Sequence, residues 1–281
     1  MKFLITAIVW TLGGLAWALP PQGFKLIPSG SFEMGDALDR VPRATAHMVQ
    51  VKAFLIGETD VVFGEWTAVK SWAGKHGYQF DHQGTGFGED HPVTGVSWHD
   101  ALKWCNARSE KEGRMPLYYT STEHAAEAVY RSGQVDLSNM MVKWDANGFR
   151  LPTEAEWERA ARGGLDGKDY PMGDELTPAL ANYNSSVGKT TPVKKYPPNK
   201  YGLYDMAGNI WQWCWDWFGD YAEGRQVDPR GPETGTERVI RGGSWYYSSE
   251  YCKVAFRMGG SPNGNRSASL CGFRVACRVE P

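Results

Sequence analysis

The sequence predicts an α+β domain, and three observations carry the prediction. Helical and strand periodicities occur in short, separated stretches and never alternate as a repeating strand–helix–strand unit, which argues against a doubly wound parallel sheet. Thirteen Trp, thirteen Tyr and thirty-three Gly suit a loop-rich chain held by large aromatic anchors, with glycine supplying the tight turns between them. No internal repeat or linker-like tract divides the 281 residues, a length sufficient for one large core.

The chain opens "MKFLITAIVWTLGGLAWA": Lys2, an apolar run from Phe3 to Leu15, then the small-residue pattern Ala16-Trp17-Ala18. This predicts a secretory signal peptide over residues 1–18, cut after Ala18, and an exported domain over 19–281 in a periplasm or outside the cell. No second apolar run follows, so no membrane span is expected after cleavage. "LIPSGSFEMG" (26–35) reads as a first strand and turn. In "GEWTAVKSWAGKHG", Trp66, Val69 and Ala73 share one helical face and Gly77 can close the end.

"VSWHDALKWCNARSEKEG" predicts a second helix. Ser97 is its N-cap with Asp100 three residues on, Trp98, Ala101, Leu102 and Cys105 recur on one face, and Gly113 stops it. "RLPTEAEWERAARGG" predicts a third, with a Thr153/Glu156 capping box, Trp157, Ala160 and Ala161 inward, and a surface Glu158–Arg162 pair. "IWQWCWDW" places tryptophans at 211, 213, 215 and 217, a period of two that puts four indoles on one strand face and Gln212, Cys214 and Asp216 on the other. "RVIRGGSW" and "GFRVACRV" read as two more strands, joined by the irregular connection "RMGGSPNGNRSASLC".

Several function classes are excluded. A net charge of −2 without a basic stripe argues against nucleic acid as a partner. The histidines form no H-E-x-x-H or facial-triad spacing, His91 and His99 suit surface or supporting roles, and no G-x-S-x-G elbow, phosphate loop or dinucleotide fingerprint occurs. Five cysteines (105, 214, 252, 271, 277) allow at most two disulfides in an oxidising compartment, and the absence of C-x-x-C removes thioredoxin-type and zinc-knuckle readings.

"HPVTGVSW", "RLPTEAEWERAARGG", "YGLYDMAGNIWQW", "RVIRGGSW" and "GFRVA", in that order, resemble the sulfatase-modifying-factor family of formylglycine-generating enzymes. The resemblance runs from Leu26 to Val279. It implies a variant of the C-type-lectin fold, bound calcium, and oxidation of a cysteine in a Cys-x-Pro-x-Arg segment of an exported protein or peptide, using oxygen and Cu(I) held by two thiolates at C-x4-C. The second thiolate position aligns with Cys252, and Ser244 falls within the matching active-site motif; the first position is Tyr247. A phenol is a hard, weakly acidic oxygen and does not replace a thiolate on a soft ion. The expectation is therefore a family scaffold whose copper site is incomplete, or alternatively a non-catalytic, calcium-stabilised module that binds a glycan, peptide or protein.

The resemblance also places calcium ligands at Asp205, the carbonyls of Gly208 and Ile210, and the side chain of Gln212, a mixture of hard oxygens that calcium accepts. A second family calcium site would begin at Asn182 and Tyr183, but the loop "SSVGKTTPVKKYPPN" that follows contains no carboxylate.

Overall fold

The computed structural model describes residues 21–38, 41–264 and 270–280. The expected signal peptide lies outside the described residues. Four strands come first: β1 (Phe24–Ile27), β2 (Gly30–Met34), β3 (His47–Val51) and β4 (Phe54–Gly57). The stretch expected as one strand is two, separated at Pro28-Ser29, because proline offers no N–H to continue a ladder. Helices α1 (Phe63–Gly74) and α2 (Trp98–Lys111) follow, then α3 (Glu154–Arg162), β5 (Trp211–Trp217), β6 (Gln226–Val227), β7 (Arg238–Arg241), β8 (Arg257–Gly260), β9 (Cys271–Gly272) and β10 (Ala276–Arg278).

The strands form three small sheets among the described residues, in the orders β1-β4-β10, β2-β3-β6 and β8-β7-β5-β9. Antiparallel pairing dominates; β3–β6 and β5–β9 are parallel. The observed architecture is α+β as expected. No helix among the described residues is long and apolar enough to cross a membrane.

Both capping boxes form as the sequence predicts, Ser97 with Asp100 on α2 and Thr153 with Glu156 on α3, each satisfying helix-end N–H groups that would otherwise lack acceptors. Gly163 ends α3 in the left-handed conformation, φ +60°. Strand β5 is buried along its whole length. Its indole face joins the larger core, where Trp98, Trp215 and Trp217 enclose the Arg238 guanidinium, 3.3 Å from the Trp217 ring centre. Its opposite face lies under α3: Asp216 Oδ2 accepts the first-turn N–H of Glu154 at 2.7 Å, and Gln212 meets Trp157.

Four expectations are corrected by the packing. The Glu158–Arg162 pair is not at the surface: Glu158 is fully buried, accepts from Gly35 N at 2.8 Å and Arg162 Nη2 at 2.6 Å, and also receives Arg241. His99 is buried against the Tyr130 hydroxyl, and burial pushes its imidazole down to about 4, so it is neutral. The first residues of the supposedly irregular 257–271 connection are β8, paired along its length with β7. The strand expected over "GFRVACRV" breaks at Phe273–Val275, its two ends lying in different sheets.

Candidate active site

The segment following β7 begins with two glycines that no other residue could replace without strain. Gly242 and Gly243 have φ of +94° and +73°. A Cβ on Gly243 would lie 2.6 Å from Cys252 Sγ and 2.9 Å from the Tyr251 carbonyl. The chain then passes Ser244, which is fully buried and whose hydroxyl finds no partner among the described residues. It returns through a short 3₁₀ turn, Ser249–Cys252. The structure thus brings Ser244 and Cys252 into one compact loop.

Cys252 is fully buried and packs in a small cluster with Tyr170, Ala181 and Ala207. Its sulfur lies 3.7 Å from the Ser248 carbonyl. Burial pushes the thiol up to about 12, opposed weakly by a backbone hydrogen bond from Gly208. The thiol is therefore protonated at neutral pH. All five cysteines are buried and free, and Cys271 and Cys277 belong to the other, larger core rather than to the Cys252 cluster.

Tyr247 lies within this loop, its N–H donating to the Ser244 carbonyl at 3.2 Å. Its ring sits 5.6 Å from that of Trp211 and 4.8 Å from that of Tyr251, and burial raises its phenol above the ordinary value, with the neighbouring Cys271 thiol adding to the shift. Tyr246 stands 59% exposed beside it, edge-on to both Trp245 and Tyr247. Tyr251 and Phe256 continue the contact at 4.9 Å. The result is a partly exposed aromatic face where the family resemblance placed a metal.

These residues do not fit Cu(I) held by two thiolates. One sulfur is present at the loop, protonated and enclosed, and the second position is an aromatic ring packed on its neighbours. Among the described residues no group of three or more His, Cys, Asp or Glu is placed to hold a metal ion.

The turn before β5 was the expected calcium site. Asp205, Gly208 and Asn209 all have left-handed φ, and Gly208 is required because a Cβ there would lie 2.3 Å from the Asn182 carbonyl. Asp205 is buried, its carboxyl pushed up to about 6 mainly by burial, and it accepts the Lys194 N–H at 3.2 Å. The Gly208 carbonyl accepts the Ile210 N–H at 2.9 Å. Gln212 decides the chemistry. Its Oε1 accepts both Trp157 Nε1 and Arg274 Nε at 2.7 Å, so both lone pairs are used and the carboxamide cannot flip. The end it turns to the loop is Nε2, which donates to the Asp205 carbonyl at 2.9 Å. Calcium requires an oxygen there, and the structure presents an N–H, so the expected ligand set does not fit as proposed.

Sequence reasoning missed Trp157 and Arg274 as the groups that orient Gln212. Arg274 also bonds the Gly57 and Tyr204 carbonyls and lies 3.4 Å from Asp60. The available signal was an arginine inside an otherwise apolar strand, which must find acceptors when buried.

With this geometry in view, the comparisons with known proteins define the class and then the family. Treponema denticola variable protein 1 superposes with a TM-score of 0.76 at 36% identity, covering 91% of this chain and 94% of that one. The crystal structure of CarF superposes with a TM-score of 0.69 at 28% identity, covering 92% of this chain and 99% of that one. The fold class is that of the formylglycine-generating-enzyme-like α+β domains. Residues 18–279 match the sulfatase-modifying factor enzyme 1-like domain, and the chain belongs to that family. It is 36% identical to the formylglycine-generating enzyme of Streptomyces coelicolor over 91% of this chain and 89% of that protein. Against the formylglycine-generating enzyme of Thermomonospora curvata the identity is 33%, over 92% and 94%.

Proposed function

We propose that this protein is an exported member of the family that has lost two-thiolate copper oxidation and serves as a binding module for an exported peptide or protein. The observation that carries this reading is Tyr247 at the first thiolate position, beside a Cys252 thiol that is fully buried and pushed up to about 12. The glycine turn, the capped helices and the buried β5 strand are retained, so the scaffold still presents the loop. What the loop presents is Trp245, Tyr246, Tyr247 and Tyr251, and such rings provide contact area for a polypeptide segment at low entropic cost.

The test is incubation of the copper-loaded mature protein with a Cys-x-Pro-x-Arg peptide, read by mass spectrometry, with binding of the same peptide measured in parallel. The expected result is no aldehyde, with any binding weakened by Tyr246→Ala. Turnover to aldehyde would defeat the proposal.

A second reading has one observation behind it. The Cys271 thiol is close enough to Tyr247 to raise its phenol, so a rearranged Cys252–Cys271 pair could assemble around that ring. Under this reading Cys271→Ala abolishes copper retention; under the first it changes nothing.

A further inference from the structure

Beside the N-cap and first turn of α3, at Thr153 and Glu156, a cavity of about 160 Å³ lies between β3, β4, β10 and the segment around Arg230. Four cations line it, Lys52, Arg150, Arg230 and Arg278, against two carboxylates, Glu156 and Asp228. Two of the cations are committed. Arg150 holds Glu156 through two parallel bonds of 2.6 and 2.7 Å, and Lys52 pairs with Asp228 at 3.3 Å.

The other two are not. The Arg230 guanidinium lies 4.1 Å over the Trp144 ring and makes no hydrogen bond or ion pair with any described residue. Burial and the nearby Arg150 charge lower its pKa, against the Asp228 and Glu156 carboxylates, which act in the other direction. Arg278 bonds the Asp145 carbonyl through Nη1, while its Nε is buried without a partner. A buried guanidinium N–H left unpaired is costly, and the four cations around this cavity outnumber its two carboxylates.

We propose that this cavity binds a small oxyanion, a carboxylate or a phosphate, bridged between Arg230 and Arg278. Guanidinium groups match the paired oxygens of either anion with parallel N–H donors. The space equals roughly five water volumes of about 30 Å³ each, enough for phosphate or a short dicarboxylate. Trp144 supplies a flat wall that keeps the Arg230 fork oriented. The site is separate from the aromatic loop and does not depend on the function proposed for it.

The test is calorimetric titration of the full-length mature protein with inorganic phosphate and with succinate at low ionic strength. The expected result is saturable binding of one anion per chain with a dissociation constant below ~10 mM. It weakens at least about ten-fold in Arg230→Gln and in Arg278→Gln, and again as salt is added. Preference for succinate assigns a carboxylate ligand, and preference for phosphate a phosphoryl one. Should Arg278→Gln fail to fold, Arg230→Gln decides alone, since that side chain makes no hydrogen bond to lose. Absence of saturable binding by both anions, or equal affinity in a folded Arg230→Gln protein, would overturn the proposal.

Discussion

Alkylation of Cys252 provides a quantitative test of the site chemistry. A thiol pushed up to about 12 is ionised at pH 7.5 to only ~3 × 10⁻⁵, whereas an exposed cysteine near 8.5 is ionised to about a tenth. Iodoacetamide reacts with the thiolate, so ionisation alone slows Cys252 by roughly 3,000-fold relative to an exposed reference thiol, before steric enclosure is counted. The same shift sets the cost of using the sulfur as a metal ligand, about 6 kcal/mol at pH 7.5 to remove its proton. The assay is time-resolved labelling of the native protein, with the modified peptide quantified by mass spectrometry and urea-unfolded protein as the reference. The rate should rise about ten-fold per pH unit between pH 7 and 10 while the fold persists. Native labelling within ten-fold of the unfolded rate at pH 7.5 would refute the reasoning.

Three further outcomes follow from the buried charges and the turn. Glu158→Gln removes the carboxylate shared by Arg162 and Arg241; a loss of about 3–5 kcal/mol, equivalent to a fall in Tm of roughly 6–20 °C by tryptophan fluorescence, is expected, and a fall under about 2 °C would contradict the assignment. Asp216 is pushed up to about 8 by burial and by Glu154, so the folded state holds a proton that the unfolded state loses near pH 4, and this group's contribution to stability falls as pH rises from about 4 to 8. Asp216→Asn keeps an oxygen acceptor for the Glu154 N–H, and its stability relative to the natural protein, read from urea midpoints, should rise steadily over that window by up to about 5 kcal/mol; a flat difference would show that the carboxyl is not protonated. Chelation of calcium should move Tm by less than about 2 °C, because Gln212 offers the turn an N–H, whereas a site held at a hundred times its dissociation constant would contribute about 2.7 kcal/mol.

The local rules that sequence exposes directly were legible: the helix caps at Ser97 and Thr153, the glycine stop at Gly113, which is left-handed at φ +70°, and the period-two tryptophans of β5. The family and its α+β fold were also legible, because five motifs carried them in order. What escaped was set by non-local packing. Glu158 reads as a surface partner of Arg162 on helix spacing alone; only the approach of β7 brings Arg241 and buries all three. Gln212 reads as a calcium oxygen by alignment with its neighbours on the turn, but its orientation is dictated by Trp157, 55 residues away, and Arg274, 62 residues away. The split of "GFRVACRV" between β9 and β10 likewise involves distant partners, since the Phe273 and Val275 carbonyls accept the N–H groups of Val61 and Gly57. Spacing along one element carries no information about which distant donor arrives.

The central claim, that Tyr247 leaves Cys252 without a second sulfur, is tested most directly by anaerobic Cu(I) competition against a chromogenic chelator, comparing the natural protein with Cys252→Ala and Cys271→Ala. The account predicts that all three surrender copper at the same chelator concentration. One equivalent of copper held tightly by the natural protein and lost in Cys252→Ala would contradict it.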